Sequence, residues 1–200
     1  MTPTRIIYNE NSTAQNIILK NNDEKNYLVS VFIEEKGQKW FVITPPIIRL
    51  EGGGKLMMRI RQLNNEGLPS DRESMFNYSI TMIGSEKTPT KNMNRIAVAS
   101  RHWFKLFYRP EKIGIPKKNS CSLGVNKVNG DLLLTNNNPF YATLAFLSIN
   151  GKRVKLNSEE SMVEPYSSRS FKIAGDISVV EWININDYGV GEDKCMYSFQ

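Results

Sequence analysis

Two hundred residues, 40% of them hydrophobic and with no long low-complexity tract, suit one large folded domain or two small ones. No apolar run approaches the roughly 18 residues of a membrane span, which excludes helical membrane insertion. The formal net charge of +6 is scattered along the chain rather than massed, so it allows an anionic partner without identifying one.

Apolar and β-branched residues cluster in short runs split by Asn, Gly and Pro, and no long stretch keeps a helical period, which predicts an all-β chain. Thr4 to Asn9 reads as a first strand and Gln15 to Lys20 as a second, followed by a turn at Asn21-Asn22-Asp23. Tyr27 to Glu34 is a strong strand. Gly37 gives a turn, and Trp40 to Thr44 runs into Pro45-Pro46, which end pairing and fix an extended corner. Ile47 to Leu50 and Leu56 to Gln62 are strands around Gly52-Gly53-Gly54. Gly54-Lys55 lacks the spacing and the Ser/Thr of a phosphate loop. After the polar loop Asn64 to Arg72, Ser74 to Ile83 alternates, with Phe76, Tyr78, Ile80 and Met82 on one face. Gly84 to Met93 is mostly polar and reads as a mobile connection.

Asn94 to Pro110, NRIAVASRHWFKLFYRP, is read as one long strand. Ile96, Val98 and Ser100 point one way; Ala97, Ala99 and Arg101 point the other, with Ala97 and Ala99 expected against the protein's own packing. Trp103 to Tyr108 is nearly solid apolar and aromatic and reads as a core strand, except for Lys105. A buried ammonium is costly unless an anion meets it. Lys105 therefore either packs its stem and keeps its head in water, or receives a carboxylate.

Pro110 to Pro116 is the best boundary, with two prolines, a glycine and a polar tail. It divides the chain into domains 1–112 and 113–200. The second half repeats the grammar: a strand at Leu132 to Thr135, a turn at Asn136 to Pro139, and a strong strand at Phe140 to Ile149. Asn150-Gly151 is a hairpin signal. Met162-Val163, Ser170 to Ile173, Val179 to Ile185 and Cys195 to Phe199 follow, with a turn at Asp187 to Gly191. Leu19-Lys20-Asn21-Asn22 before Tyr27 echoes Leu134-Thr135-Asn136-Asn137 before Tyr141. Short strands at this spacing predict two immunoglobulin-like sandwiches.

Catalytic chemistry is poorly supported. The single histidine, His102, gives no Cys-His or Ser-His set, and the adjacent pairs Glu34-Glu35 and Glu159-Glu160 read as solvated charge. The two cysteines, Cys121 and Cys195, fit no zinc signature, and no cofactor or metal site is expected. They form one disulfide in an oxidising compartment or remain two buried thiols. A disulfide is the expected outcome, because Cys121 precedes the second domain's first clear strand and Cys195 opens its last. A nucleic-acid binder would need a basic stripe interleaved with exposed aromatics, and none is legible. Met1 is followed by a polar stretch, so the chain is read as cytosolic or as a mature secreted form with an added Met1.

Several pieces together resemble one family. They are Thr4-Arg5-Ile6-Ile7-Tyr8; Thr44-Pro45-Pro46 with Arg49-Leu50-Glu51; and Asp71-Arg72-Glu73-Ser74-Met75-Phe76. Lys105-Leu106-Phe107-Tyr108-Arg109-Pro110, Asn138-Pro139-Phe140-Tyr141 and Ile185-Asn186-Asp187-Tyr188-Gly189 complete the set, in order, over nearly the whole chain. The chain resembles the periplasmic pilus-assembly chaperones of the PapD-like family. The resemblance implies two immunoglobulin-like domains set as a boomerang around a cleft, a periplasmic location, and no enzymatic activity. It implies that Arg5 and Lys105 hold a pilus subunit's C-terminal carboxylate, and that Glu73, Arg109 and Asp187 form an interdomain charge network. It implies that the strand at about 94–109 lends Ile96, Val98 and Ser100 to a subunit lacking its last strand, and that an outer-membrane usher receives the subunit. On the free chaperone that strand is a sticky edge, which leaves room for self-association. Met82-Ile83-Gly84 stands where many members carry Ile-Pro-Pro, and Ser100 where a further apolar donor residue is common. The short connection before the donor strand, without a cysteine pair, suggests the short-loop subgroup of fimbrial fibres. The competing reading is a two-domain bacterial adhesin or a carbohydrate-binding sandwich, which explains the fold but not the ordered motifs.

Overall fold

The computed structural model describes residues 4–84, 98–116 and 121–200. Contacts group the chain into two compact units, Met1–Leu68 with Ser74–Tyr108, and Pro69–Glu73 with Arg109–Gln200.

The first unit is built from β1 (Arg5–Asn9), β2 (Gln15–Lys20), β3 (Tyr27–Ile33), β4 (Phe41–Thr44), β5 (Ile47–Leu50), β6 (Lys55–Gln62), β7 (Ser74–Gly84) and β8 (Ala99–Arg109). One sheet has the order β1-β8-β7-β3-β5 and the other β2-β6-β4. Strict alternation makes each sheet one-sided. Leu56, Met58 and Ile60 of β6 are buried while Lys55, Met57 and Arg59 face out. Ile17 and Leu19 answer from β2, and Val29, Val31, Tyr78 and Ile80 from the facing sheet. The turn expected at Gly37 is the single helical turn α1 (Glu35–Gln38). Gly52 has to be glycine, since a Cβ there would lie 2.2 Å from the Glu24 carbonyl oxygen.

The second unit contains β9 (Gly124–Val128), β10 (Asp131–Asn136), β11 (Ala142–Ile149), β12 (Lys152–Arg153), β13 (Met162–Val163), β14 (Ser167–Phe171), β15 (Val179–Ile185) and β16 (Gly191–Ser198). Its sheets are β14-β10-β9 and β12-β11-β15-β16, with β13 also paired to β11. Leu132, Leu134, Leu147, Val180 and Trp182 fill the space between them. Asn150 and Gly151 both take positive φ, as the hairpin signal required. Asn129 and Gly130 do the same between β9 and β10, a hairpin the sequence reading passed over because β9 buries almost nothing but Val125.

The echo between the two halves has a structural counterpart. Asn21 and Asn136 are both buried. Each accepts the backbone N–H two residues on, at 3.0 Å in both cases, and each donates Nδ2 to the carbonyl four residues on, at 2.6 and 2.7 Å. Each also donates to a distant carbonyl, Glu51 and Val163 respectively. A short amide in this position satisfies backbone groups that the turn would otherwise bury unpaired.

Two boundaries move from their expected places. The last strand starts at Gly191, not Cys195, because it continues pairing with β15 back to Ile185. The strand expected at Ser170 to Ile173 is β14, which begins at Ser167, ends at Phe171 and pairs with β10. The long strand is described from Ala99; residues 94–97, and the connection from 85 onward, lie outside the described residues.

Candidate functional site

β8 runs antiparallel to β7, with Ile83 opposite Ala99 and Ser74 opposite Tyr108. Its even residues face the other sheet and its odd residues face outward. Leu106 and Tyr108 are deep in the core. Toward the start of the strand the core opens. Ser100, His102 and Phe104 line a groove of about 390 Å³ together with Ile80, Met82 and Leu19–Asn21. Val98 has the same parity and is 74% exposed. Ile96 lies outside the described residues.

Two expectations for this strand fail. Ala99 does not serve internal packing: it is exposed on the outer face, beside Arg101, which donates Nε to Thr81 Oγ1 at 3.0 Å. Trp103 is not a core residue; it is 57% exposed. The apolar run misled because a strand buried on both faces and a strand with an aromatic outer face read alike.

Lys105 follows Trp103 on the outer face and is half-buried. Arg5 opens β1, the strand beside β8, and is buried with its guanidinium 5.5 Å above the Phe107 ring. Burial, and after it the positive charge of Arg5, pushes the Lys105 ammonium down to about 8. The sequence placed these two cations far apart; the sheet order brings them within electrostatic reach. Their arrangement disfavours charge on Lys105.

Glu73, Arg109 and Asp187 all lie in the second unit. Arg109 donates Nε and Nη2 to Glu73 Oε1 at 2.8 and 2.6 Å, and Nη1 and Nη2 to Asp187 at 2.8 and 3.0 Å. The other Glu73 oxygen accepts the Tyr141 N–H at 2.9 Å, and the Phe140 ring lies 5.0 Å from the guanidinium carbon. Burial raises the Glu73 carboxyl, against the pull of Arg109 and the Tyr141 N–H. Burial also opposes the Arg109 charge, but Asp187 and Glu73 outweigh it and raise its pKa.

Cys121 and Cys195 form a disulfide with Cα atoms 5.4 Å apart. Cys195 is the one buried side chain of β16, so the bridge is that edge strand's anchor in the core. Closing a chain separation of 74 residues contributes about 4 kcal/mol on the chain-entropy account. Among the described residues no cluster of three or more His, Cys, Asp or Glu side chains could hold a metal.

Two immunoglobulin-like sandwiches, one carrying a strand with exposed apolar side chains on an opened core and a cation pair at its foot, define a protein built to hold another chain. Residues 1–114 match the family model described as pili and flagellar-assembly chaperone, PapD N-terminal domain, and residues 120–195 match the PapD C-terminal domain. The chain is 34% identical over 195 residues to the chaperone protein FocC of Escherichia coli, covering 93% of this chain and 83% of FocC. Its structure is similar to that of the E. coli chaperone DraB, with a TM-score of 0.80, 29% identity, and 98% and 96% of the two chains covered. It shares a fold with SafB of Salmonella enterica, solved with the SafA pilin, at a TM-score of 0.82 and 23% identity over 99% and 94% of the chains. The chain belongs to the PapD-like family of pilus-assembly chaperones, which are not enzymes. The adhesin and carbohydrate-binding readings give way to it.

Proposed function

We propose that this chain is a periplasmic chaperone that folds and caps pilus subunits by lending them β8 and its preceding residues, then hands them to an outer-membrane usher. The observation that carries this reading is the first half of β8. Ser100 of β8, and Val98 immediately before it with the same parity, are exposed at the open end of the sandwich, where a subunit lacking a strand can take them. Backbone bonds along the strand supply affinity, and alternating side chains supply fit. Ser100 makes the apolar series shorter than a run of branched residues would. At the foot of the strand, Arg5 and Lys105 receive the subunit's terminal carboxylate by charge-assisted hydrogen bonds. SafB, solved with a pilin, supports a subunit as the partner. The DraB and FocC similarities support the chaperone role of the whole chain.

The direct test is co-expression with pilus subunits encoded beside this chain's gene. The wild-type chain is expected to protect at least one subunit from degradation and to co-purify with it. A subunit whose terminal carboxylate is blocked or removed is expected to be degraded. Equal recovery of intact and truncated subunits would sink the carboxylate anchor, and recovery of none would sink the chaperone reading.

A further inference from the structure

The outer face of the smaller sheet of the first unit, β2-β6-β4, carries a charge pattern that subunit capture does not use. Alternation sends Leu56, Met58 and Ile60 of β6 into the core and their neighbours into solvent. Register then sets Lys20 of β2 opposite Lys55 of β6, and Ile18 opposite Met57. Arg59 and Arg61 continue the outward row along β6. All six of these side chains are exposed, Ile18 and Met57 each to 50%. No outward residue of the three strands is a carboxylate.

Edge protection does not account for this pattern. A lysine on an edge strand discourages further pairing, which suits Lys20 on β2. Lys55, Arg59 and Arg61 lie on β6, the central strand, where no edge needs guarding. Like charges placed directly opposite weaken a sheet, and Lys20 and Lys55 are such a pair. Among the described residues, none of the four cations forms an ion pair. Two carboxylates of the adjoining turns are engaged elsewhere. Asp23 accepts from the Tyr27 hydroxyl at 2.7 Å, and Glu51 pairs with Arg49 at 2.9 Å. The face is therefore an open area, about 20 Å from Lys55 to Arg61, with uncompensated positive charge around an apolar pair.

We propose that this face docks onto the surface of an anionic lipid bilayer. Lys20, Lys55, Arg59 and Arg61 meet headgroup phosphates, and Ile18 and Met57 enter the boundary between headgroups and acyl chains. Two features select a bilayer over an acidic polypeptide. The cations are spread over a broad sheet face rather than along a groove that one chain could follow. The centre is apolar, and a soluble polyanion offers Ile18 and Met57 nothing, whereas a bilayer removes them from water. The long stems of Lys and Arg let the charged heads reach phosphates while the sheet lies against the surface. The proposal is independent of subunit capture and of the cation pair on the other sheet.

The test is flotation of the full chain with phosphatidylcholine vesicles, with and without about one-third phosphatidylglycerol. The wild type is expected to float with the anionic vesicles, less so as salt rises, and to ignore the neutral ones. The double variant Lys55→Glu, Arg59→Glu is expected to lose at least about a hundredfold in partitioning, at about fivefold for each unit of charge. The double variant Lys152→Glu, Arg153→Glu changes the net charge equally on exposed residues of the second unit, and is expected to bind like the wild type. Thermal unfolding of both double variants checks that each is folded, and Lys55→Gln, Arg59→Gln replaces the first if it is not. Ile18→Ser, Met57→Ser is expected to weaken binding about tenfold. Absence of binding to anionic vesicles overturns the proposal. Equal losses in the two charge-reversed variants reduce the effect to net charge and overturn the face. Polyglutamate that binds the chain as tightly as the vesicles do, with no effect of the Ile18 and Met57 changes, assigns the face to an acidic polypeptide and overturns the bilayer.

Discussion

Lys105 and Arg109 are two cations on one face of one strand, and their surroundings treat them oppositely. Arg109 sits between Glu73 and Asp187, with all three of its nitrogens bonded to a carboxylate, and its protonated form is reinforced. Lys105 sits beside another cation in a partly dry setting, and its protonated form is penalised. A charge satisfied by the chain's own carboxylates serves structure. On the proposed function, a charge held at such a disadvantage is one that a bound subunit carboxylate would favour. The same difference separates the ends of β8, whose last residues are core and whose first residues are exposed.

The largest expected effect breaks the structural half of this pair. Arg109→Ala leaves Glu73 as a buried carboxylate without its guanidinium, and should cost about 3–5 kcal/mol in denaturant unfolding. Asp187 is partly exposed, so Asp187→Ala should cost only about 1 kcal/mol. Equal losses for the two would mean that burial does not rank these partners.

At the other end of β8 the expectation reverses. Val98→Asp should change the free protein's stability by no more than about 0.5 kcal/mol, because the side chain is exposed. It should nevertheless abolish subunit capture, since an unpaired carboxylate in a dry subunit pocket is heavily penalised. Capture is read by pull-down of a co-expressed subunit, and undiminished capture would remove this strand's first half from the binding surface.

Lys105→Ala should weaken capture by about 1.5–3 kcal/mol, the worth of a charge-assisted hydrogen bond, without destabilising the fold. The contrast with Arg109→Ala is the sharpest form of the comparison: one cation's loss appears in unfolding, the other's in binding.

The smallest effect is in pH. The Lys105 pKa is lowered from 10.5 to about 8 in the folded chain, so between those values the unfolded state holds the proton and the folded state does not. Stability from this group therefore rises with pH across that window, and its cost is fully present below about pH 8. Capture should run the other way, strongest below pH 8 and declining above it as the ammonium is lost. Lys105→Met should flatten both trends, measured by urea unfolding and by subunit capture across the window.

The sequence alone was enough for the two sandwiches, because alternation with period two, asparagine turns and the Asn150-Gly151 hairpin are local signals. It was enough to single out Lys105, because an ammonium in the middle of an aromatic run conflicts with the pattern around it. It also exposed the echo around Asn21 and Asn136, although the shared job of those amides became visible only with their carbonyl partners in place. Tertiary structure alone decided what lies beside what. Sheet order set Arg5 next to the C-terminal half of β8 and close enough to act on Lys105, and strand register set Lys20 opposite Lys55 and Ile18 opposite Met57. Trp103 and Ala99 were misjudged for the same reason: periodicity assigns residues to a face, but whether anything covers that face depends on packing between distant segments, which no local pattern encodes.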